Sequence, residues 1–141
     1  MRIKSYIGFS LIFLLLFTGC ATTTQRVLDT DQSQVQLRSI QTRAFDTTDK
    51  TKMLKVVIST LQDLDFVLDR ADLELGSVTA SKFTNNTLLK MSVIVRPRGE
   101  TQLLVRANAQ FGIKSIDDPE SYQDFFSALE KSLFLTAHQV D

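Results

Sequence analysis

Few side chains in this 141-residue chain are of types that do covalent or acid–base chemistry, and their spacing narrows them further. There is one Cys, Cys20, and one His, His138. A lone Cys excludes an intramolecular disulfide framework and any multi-cysteine metal site. A lone His excludes the two-His zinc motifs. Carboxylates gather at Asp63, Asp65, Asp69, Asp72 and Glu74. Oxygen-rich loops bind Ca²⁺, but this spacing is not that of an EF-hand loop, and a solvated acidic edge that discourages strand aggregation is the plainer reading. His138 falls at the end of a predicted helix, where a cation suits the dipole, with no nucleophile context beside it. Neither G-x-S-x-G, G-x-G-x-x-G nor a P-loop is present. The sequence therefore predicts no catalytic residue, no cofactor and no metal site. Arg38, Arg43, Arg96, Arg98 and Arg106 are expected to share a polar sheet face. They form either a solvated face or a patch for a phosphate- or carboxylate-bearing partner, which the bidentate guanidinium suits.

Cys20 is the residue whose surroundings specify a reaction. It ends a segment that begins with Arg2 and Lys4, the only charges before Arg26. Tyr6 to Phe17 is an apolar run broken only by Gly8 and Ser10. As a helix that run covers about 18 Å, short of a ~30 Å hydrocarbon core. Basic start, short apolar stretch and small residues after it match a secretory signal. Leu16-Phe17-Thr18-Gly19-Cys20 resembles the lipobox of bacterial lipoproteins, with Phe17 where Leu is usual. The resemblance implies a diacylglyceryl group on the Cys20 thiol, cleavage just before it, and acylation of the new amine by a fatty acid such as palmitate. Ala21, rather than Asp, implies sorting to the outer membrane of a Gram-negative envelope, with the domain facing the periplasm. The other reading is a retained N-terminal anchor in which Cys20 is incidental. Each buried CH₂ contributes about 0.8 kcal/mol, so two or three acyl chains hold a protein to a bilayer almost permanently.

Processing also changes the charge. The whole chain has 16 basic and 16 acidic side chains; without residues 1–19, which hold Arg2 and Lys4, 14 basic face 16 acidic ones. A net charge of −2 excludes nucleic acid as a charge-driven partner. Residues 20–35 are polar and lack a period of 2 or 3.6, which predicts a lipidated N-terminus and flexible tether. A docking peptide built on Val27 and Leu28 is the alternative.

Residues 36–141 are predicted to form one α+β domain. Gln36 to Phe45 alternates as a strand. Met53, Leu54, Val57, Ile58, Leu61 and Leu64 recur at steps of three and four, which predicts a helix over about 49–63. Phe66–Ala71 and Leu75–Ser81 read as paired strands. Leu89–Arg96 and Gln102–Phe111 alternate cleanly around Pro97–Glu100 and predict a hairpin. Asp118-Pro119-Glu120 opens a last helix carrying Tyr122, Phe126, Leu129 and Leu133 on one stripe. The expected order is β-α-β-β-β-β-α, an antiparallel sheet with two helices on one face. The layout resembles helix-grip domains of outer-membrane assembly lipoproteins.

Three stretches resemble a family of uncharacterised bacterial lipoproteins: Gln41-Thr-Arg-Ala-Phe-Asp-Thr47, Leu61-Gln-Asp-Leu-Asp-Phe66 followed by Leu75-Gly76 and Lys82, and Tyr122-Gln-Asp-Phe-Phe126 leading to Ser132-Leu-Phe-Leu135. That family usually has Gly where this chain has Asp65. The resemblance implies an envelope lipoprotein and no particular activity. The expectation for function is a non-enzymatic scaffold or accessory protein that binds another envelope protein. A binding module for a small or lipidic ligand between helices and sheet is the alternative. Candidate partner-binding residues are Arg96, Arg98, Arg106, Phe125 and Phe134; Leu135 joins them if the last helix is apolar over more than one stripe.

Overall fold

Alternation of apolar and polar residues over Thr87–Arg98 and Gln102–Phe111 puts Met91, Val93, Val95, Leu103, Val105, Ala107 and Ala109 on one side, and all seven are buried. These two strands, β4 and β5, are the centre of an antiparallel sheet. The computed structural model describes residues 34–138. The signal segment, Cys20, the tether up to residue 33 and the side chain of His138 lie outside the described residues. Residues 34–40 are helical (α1) and are followed by β1 (Thr42–Phe45), α2 (Lys50–Asp63), β2 (Val67–Asp72), β3 (Ser77–Thr84), β4, β5, β6 (Lys114–Ser115) and α3 (Pro119–His138). The fold class is α+β. The sheet runs β1-β5-β4-β3-β2, with the two-residue β6 also paired to β5.

α2 connects the two edge strands, so it crosses the whole sheet. Its N-cap is Asp49, whose carboxylate accepts from the Lys52 amide at 2.8 Å. Met53, Leu54, Val56, Val57 and Leu61 are buried against the apolar sheet face. α3 lies beside α2 and buries Tyr122, Phe125, Phe126 and Leu129. Fully burying side chains of this kind contributes ~1.5–3 kcal/mol each. Every buried strand residue faces the helices, and among the described residues no element covers the other sheet face. α3 is capped by Asp118, which accepts from the Ser121 amide and hydroxyl. The amide bond chiefly, then the hydroxyl, holds this carboxyl below the usual carboxylate range.

Two expectations need correction. The strand expected over 36–45 is a strand only from Thr42; residues 36–40 are helical because Leu37 and Ile40, three apart, both pack on the core. β6 was not anticipated, since two residues carry no period. The turn after α2 is a Schellman arrangement: Phe66 N–H bonds Leu61 C=O at 2.9 Å and Asp65 N–H bonds Gln62 C=O at 3.0 Å. Asp65 sits there at φ 65°, a conformation that glycine adopts without penalty. Gly76, at φ 73°, is the other constrained position, because a Cβ there would come within 2.5 Å of the Val95 carbonyl oxygen.

The Tyr122 hydroxyl ties four elements together. It accepts from Gln41 Nε2 and the Ala109 amide, both at 3.1 Å, and donates to the Ile116 carbonyl at 2.8 Å. Tyr122→Phe is expected to cost about 1–3 kcal/mol, since it strands these partners without water. Urea unfolding gives the cost, and hydrogen exchange should show a less protected Ala109 amide. Unchanged protection at Ala109 would mean that the hydroxyl is not its partner in solution.

Candidate functional site

Pairing register decides which charged side chains share the open face. Arg106 stands opposite Ile94, Arg96 opposite Leu104, and Arg98 opposite Gln102. All are two-residue steps along their strands from one another, so they project from the side away from the helices. Arg96 and Arg106 are diagonal neighbours, a spacing of about 7–8 Å between backbones. Leu104 and Ile94 lie between them, half-buried. Arg96 and Arg98 are exposed, whereas Arg106 is half-buried with its Nε shielded and without a hydrogen-bond partner.

Arg70 joins this group through an irregularity. Leu68 pairs with Ala80 on the core side, but the register shifts between Leu68 and Arg70, and Arg70 pairs with Thr79. The bulge at Asp69 thus turns Arg70 onto the open face. There it stands 3.6 Å from Asp72, while Asp69 accepts from the Ser81 hydroxyl at 2.8 Å. Thr79 and Ser92 lie 3.4 Å apart in the same row. Lys90 completes the face, which carries Arg70, Lys90, Arg96, Arg98 and Arg106 against Asp69, Asp72 and Asp46, the last accepting from the Gln102 side chain. Residues 20–141, with 14 basic and 16 acidic side chains, therefore have one basic side.

Two of the arginines expected on this face are elsewhere. Arg43 pairs with Val105, on the core side, and its guanidinium lies 5.4 Å from the Phe126 ring centre. Arg38 is on α1 and exposed. Phe125 is 1% exposed and packs edge-to-face on Phe126 at 5.2 Å. Its expected role in meeting a partner is corrected: a ring sealed between helix and sheet offers no surface. Phe134 and Leu135 are 63% and 54% exposed, near the end of α3. Parity along β4 and β5 could be read from the sequence, but the bulge that adds Arg70 could not.

The remaining candidates hold little. Among the described residues no three His, Cys, Asp or Glu side chains converge on a metal position. In the acidic stretch, Asp72 accepts from the Leu75 amide at 2.8 Å and pairs with Arg70, so it shapes the β2–β3 turn. A hollow of about 190 Å³ lies between α3 and the sheet, lined by Leu64, Phe66, Lys82, Leu89, Ile116 and Phe125 among others. Lys82 is engaged there, with its Nζ 3.0 Å from the Leu64 carbonyl and 4.7 Å from the Phe66 ring centre. A second hollow of about 260 Å³ lies beside Phe45, Met53 and Leu133. Among the described residues no helix is long and apolar enough to cross a membrane. The chain matches no protein-family model, and no curated protein matches it in sequence.

Proposed function

We propose that this chain is a lipid-anchored protein of the bacterial outer membrane and that its α+β domain is a non-enzymatic scaffold for another envelope protein. The anchor reading rests on Thr18-Gly19-Cys20 and Ala21 following the apolar run. The observation that carries the scaffold reading is the sheet face that no described element covers. Leu104 and Ile94 give it an apolar centre, and Arg96, Arg98, Arg106 and Arg70 surround that centre. An apolar centre with a charged rim is how protein interfaces are built, and arginine is enriched in them. Exposed Arg96 and Arg98 present guanidinium forks of the kind that pairs with a carboxylate arriving on the partner. The partner is accordingly one with an acidic, partly apolar stripe.

A photo-crosslinking residue at Leu104, in the native envelope, tests this. Crosslinks to one recurring protein are expected, and Arg96→Glu with Arg106→Glu is expected to reduce them at least tenfold, because like charges across an interface cost several kcal/mol. Circular dichroism of the double variant controls for folding. Crosslinks that are absent, or indifferent to the charge reversal, would defeat the reading.

The carrier reading has one observation in its favour, the hollow beside Phe66, Lys82 and Phe125. Ligand pockets run to about 300–1,000 Å³. At about 190 Å³ the hollow has room for a small fragment and not for an acyl lipid, so this reading ranks second.

A further inference from the structure

Along β3 the core-facing row runs Val78, Ala80, Lys82, so a charged side chain ends a row of buried apolar ones. Lys82 is opposite Leu89, and Met91, the next core-facing residue of β4, is opposite Ala109. The Ala109 side chain reaches less far from the sheet than Leu103 and Val105 do at the other end of β5. The space it leaves under the first turns of α3 is the hollow of about 190 Å³. Phe66, Met91 and Phe125 give the hollow buried apolar walls. Its two charged lining residues come from opposite sides, Lys82 from the sheet and Asp124 from α3.

These two charges do not pair with each other. The Lys82 ammonium donates to the Leu64 carbonyl at 3.0 Å and lies 4.7 Å from the Phe66 ring centre, which fixes it at the hollow. An ammonium has three N–H groups, so Lys82 keeps donors to offer. Among the described residues the Asp124 carboxylate has no hydrogen bond and no ion pair. Ser121, also at the rim, has its hydroxyl committed to Asp118. We propose that the hollow binds a free α-amino acid with one aromatic or branched aliphatic side chain. Its carboxylate meets Lys82, its ammonium meets Asp124, and its side chain lies against Met91 and Phe125. A cavity of about 150 Å³ takes a benzene ring, so this hollow has room for one such side chain and not for a second residue. A thioether beside an aromatic ring is a favourable contact, which suits Met91 to a ring. A plain carboxylic acid would leave Asp124 unpaired beside a like charge, and a plain amine would do the same to Lys82; only a zwitterion answers both. The site lies on the helix side of the sheet. It takes up the small-ligand reading of this hollow and does not depend on the scaffold reading of the arginine face.

The test uses the whole protein as purified from its host, in phospholipid nanodiscs, with ¹³C in the methionine methyl groups and L-phenylalanine as the probe. Met91 lines this hollow and Met53 lines the other, so the Met53 methyl is the internal control. Phenylalanine is expected to move the Met91 methyl signal by its ring current, saturably, and to leave Met53 in place. Phenylpropanoate and phenylethylamine, which carry one charge each, are expected to bind weaker by about tenfold or more, since each forfeits a hydrogen bond between charged groups. Lys82→Met and Asp124→Asn are each expected to weaken phenylalanine by the same factor. An unchanged Met53 signal shows that a variant is folded; should Lys82→Met not fold, Asp124→Asn, at an exposed position, carries the test alone. No saturable shift at Met91, a shift at Met53 as large, equal affinity for either one-charge probe, or a folded variant that binds phenylalanine as before would each overturn the proposal.

Discussion

Phe126→Ala is expected to lower the unfolding free energy by about 3–5 kcal/mol, the range for removing a sealed aromatic ring. The ring is fully buried, meets Phe125 edge-to-face at 5.2 Å, and lies under the Arg43 guanidinium at 5.4 Å. Truncation forfeits transfer energy, leaves a cavity between α3 and the sheet, and strips Arg43 of the surface that holds it on the core side. Domains of this size have ~5–15 kcal/mol in total, so the loss is a large share. Urea unfolding should show a lower midpoint at unchanged slope, because the native contacts weaken without altering the surface exposed on unfolding. A loss under 1 kcal/mol would mean that the layers close around the missing ring.

Cys20→Ser, carried behind a signal without a lipobox, is expected to move the whole protein from the outer-membrane fraction to the soluble periplasm. Among the described residues the core is drawn from 37–133. Circular dichroism should therefore report an unchanged domain. A variant that still pelleted with outer membrane would place the anchor in a protein partner or in an amphipathic surface of the domain. An unfolded variant would move the domain boundary upstream of residue 36.

α2 and the β4–β5 hairpin were legible because their apolar residues keep a single period over ten or more positions. α1 was not. It is short, and its two core residues, Leu37 and Ile40, fit a weak alternation as readily as a helical step. At the site, parity along β4 and β5 correctly grouped Arg96, Arg98 and Arg106. Arg43 was misplaced by the same rule, because the face it takes depends on pairing with Val105, a partner about 60 residues distant that no local pattern specifies. Arg70 required the bulge, which pairing creates. The hydroxyl of Tyr122 was read only as part of an apolar stripe, yet it is the polar end of that residue that binds β5, Gln41 and Ile116 together.

The crossing of α2 over the whole sheet sets an order of assembly. β2, β3, β4 and β5 each pair with the next strand in the chain, so they can close as a meander at low entropic cost. β1 pairs only with β5, roughly 60 residues later, the one long-range strand pairing in the sheet. The first strand to leave the ribosome is thus the one that waits longest. Until residue 106 has been delivered, β1 lacks its neighbour, whereas the strands that α2 packs on, β2, β3 and β4, are already present. A chain that emerges N-terminus first therefore holds β1 unpaired until β5 follows, and a product truncated before β5 forms the β2 edge of the sheet but cannot place β1.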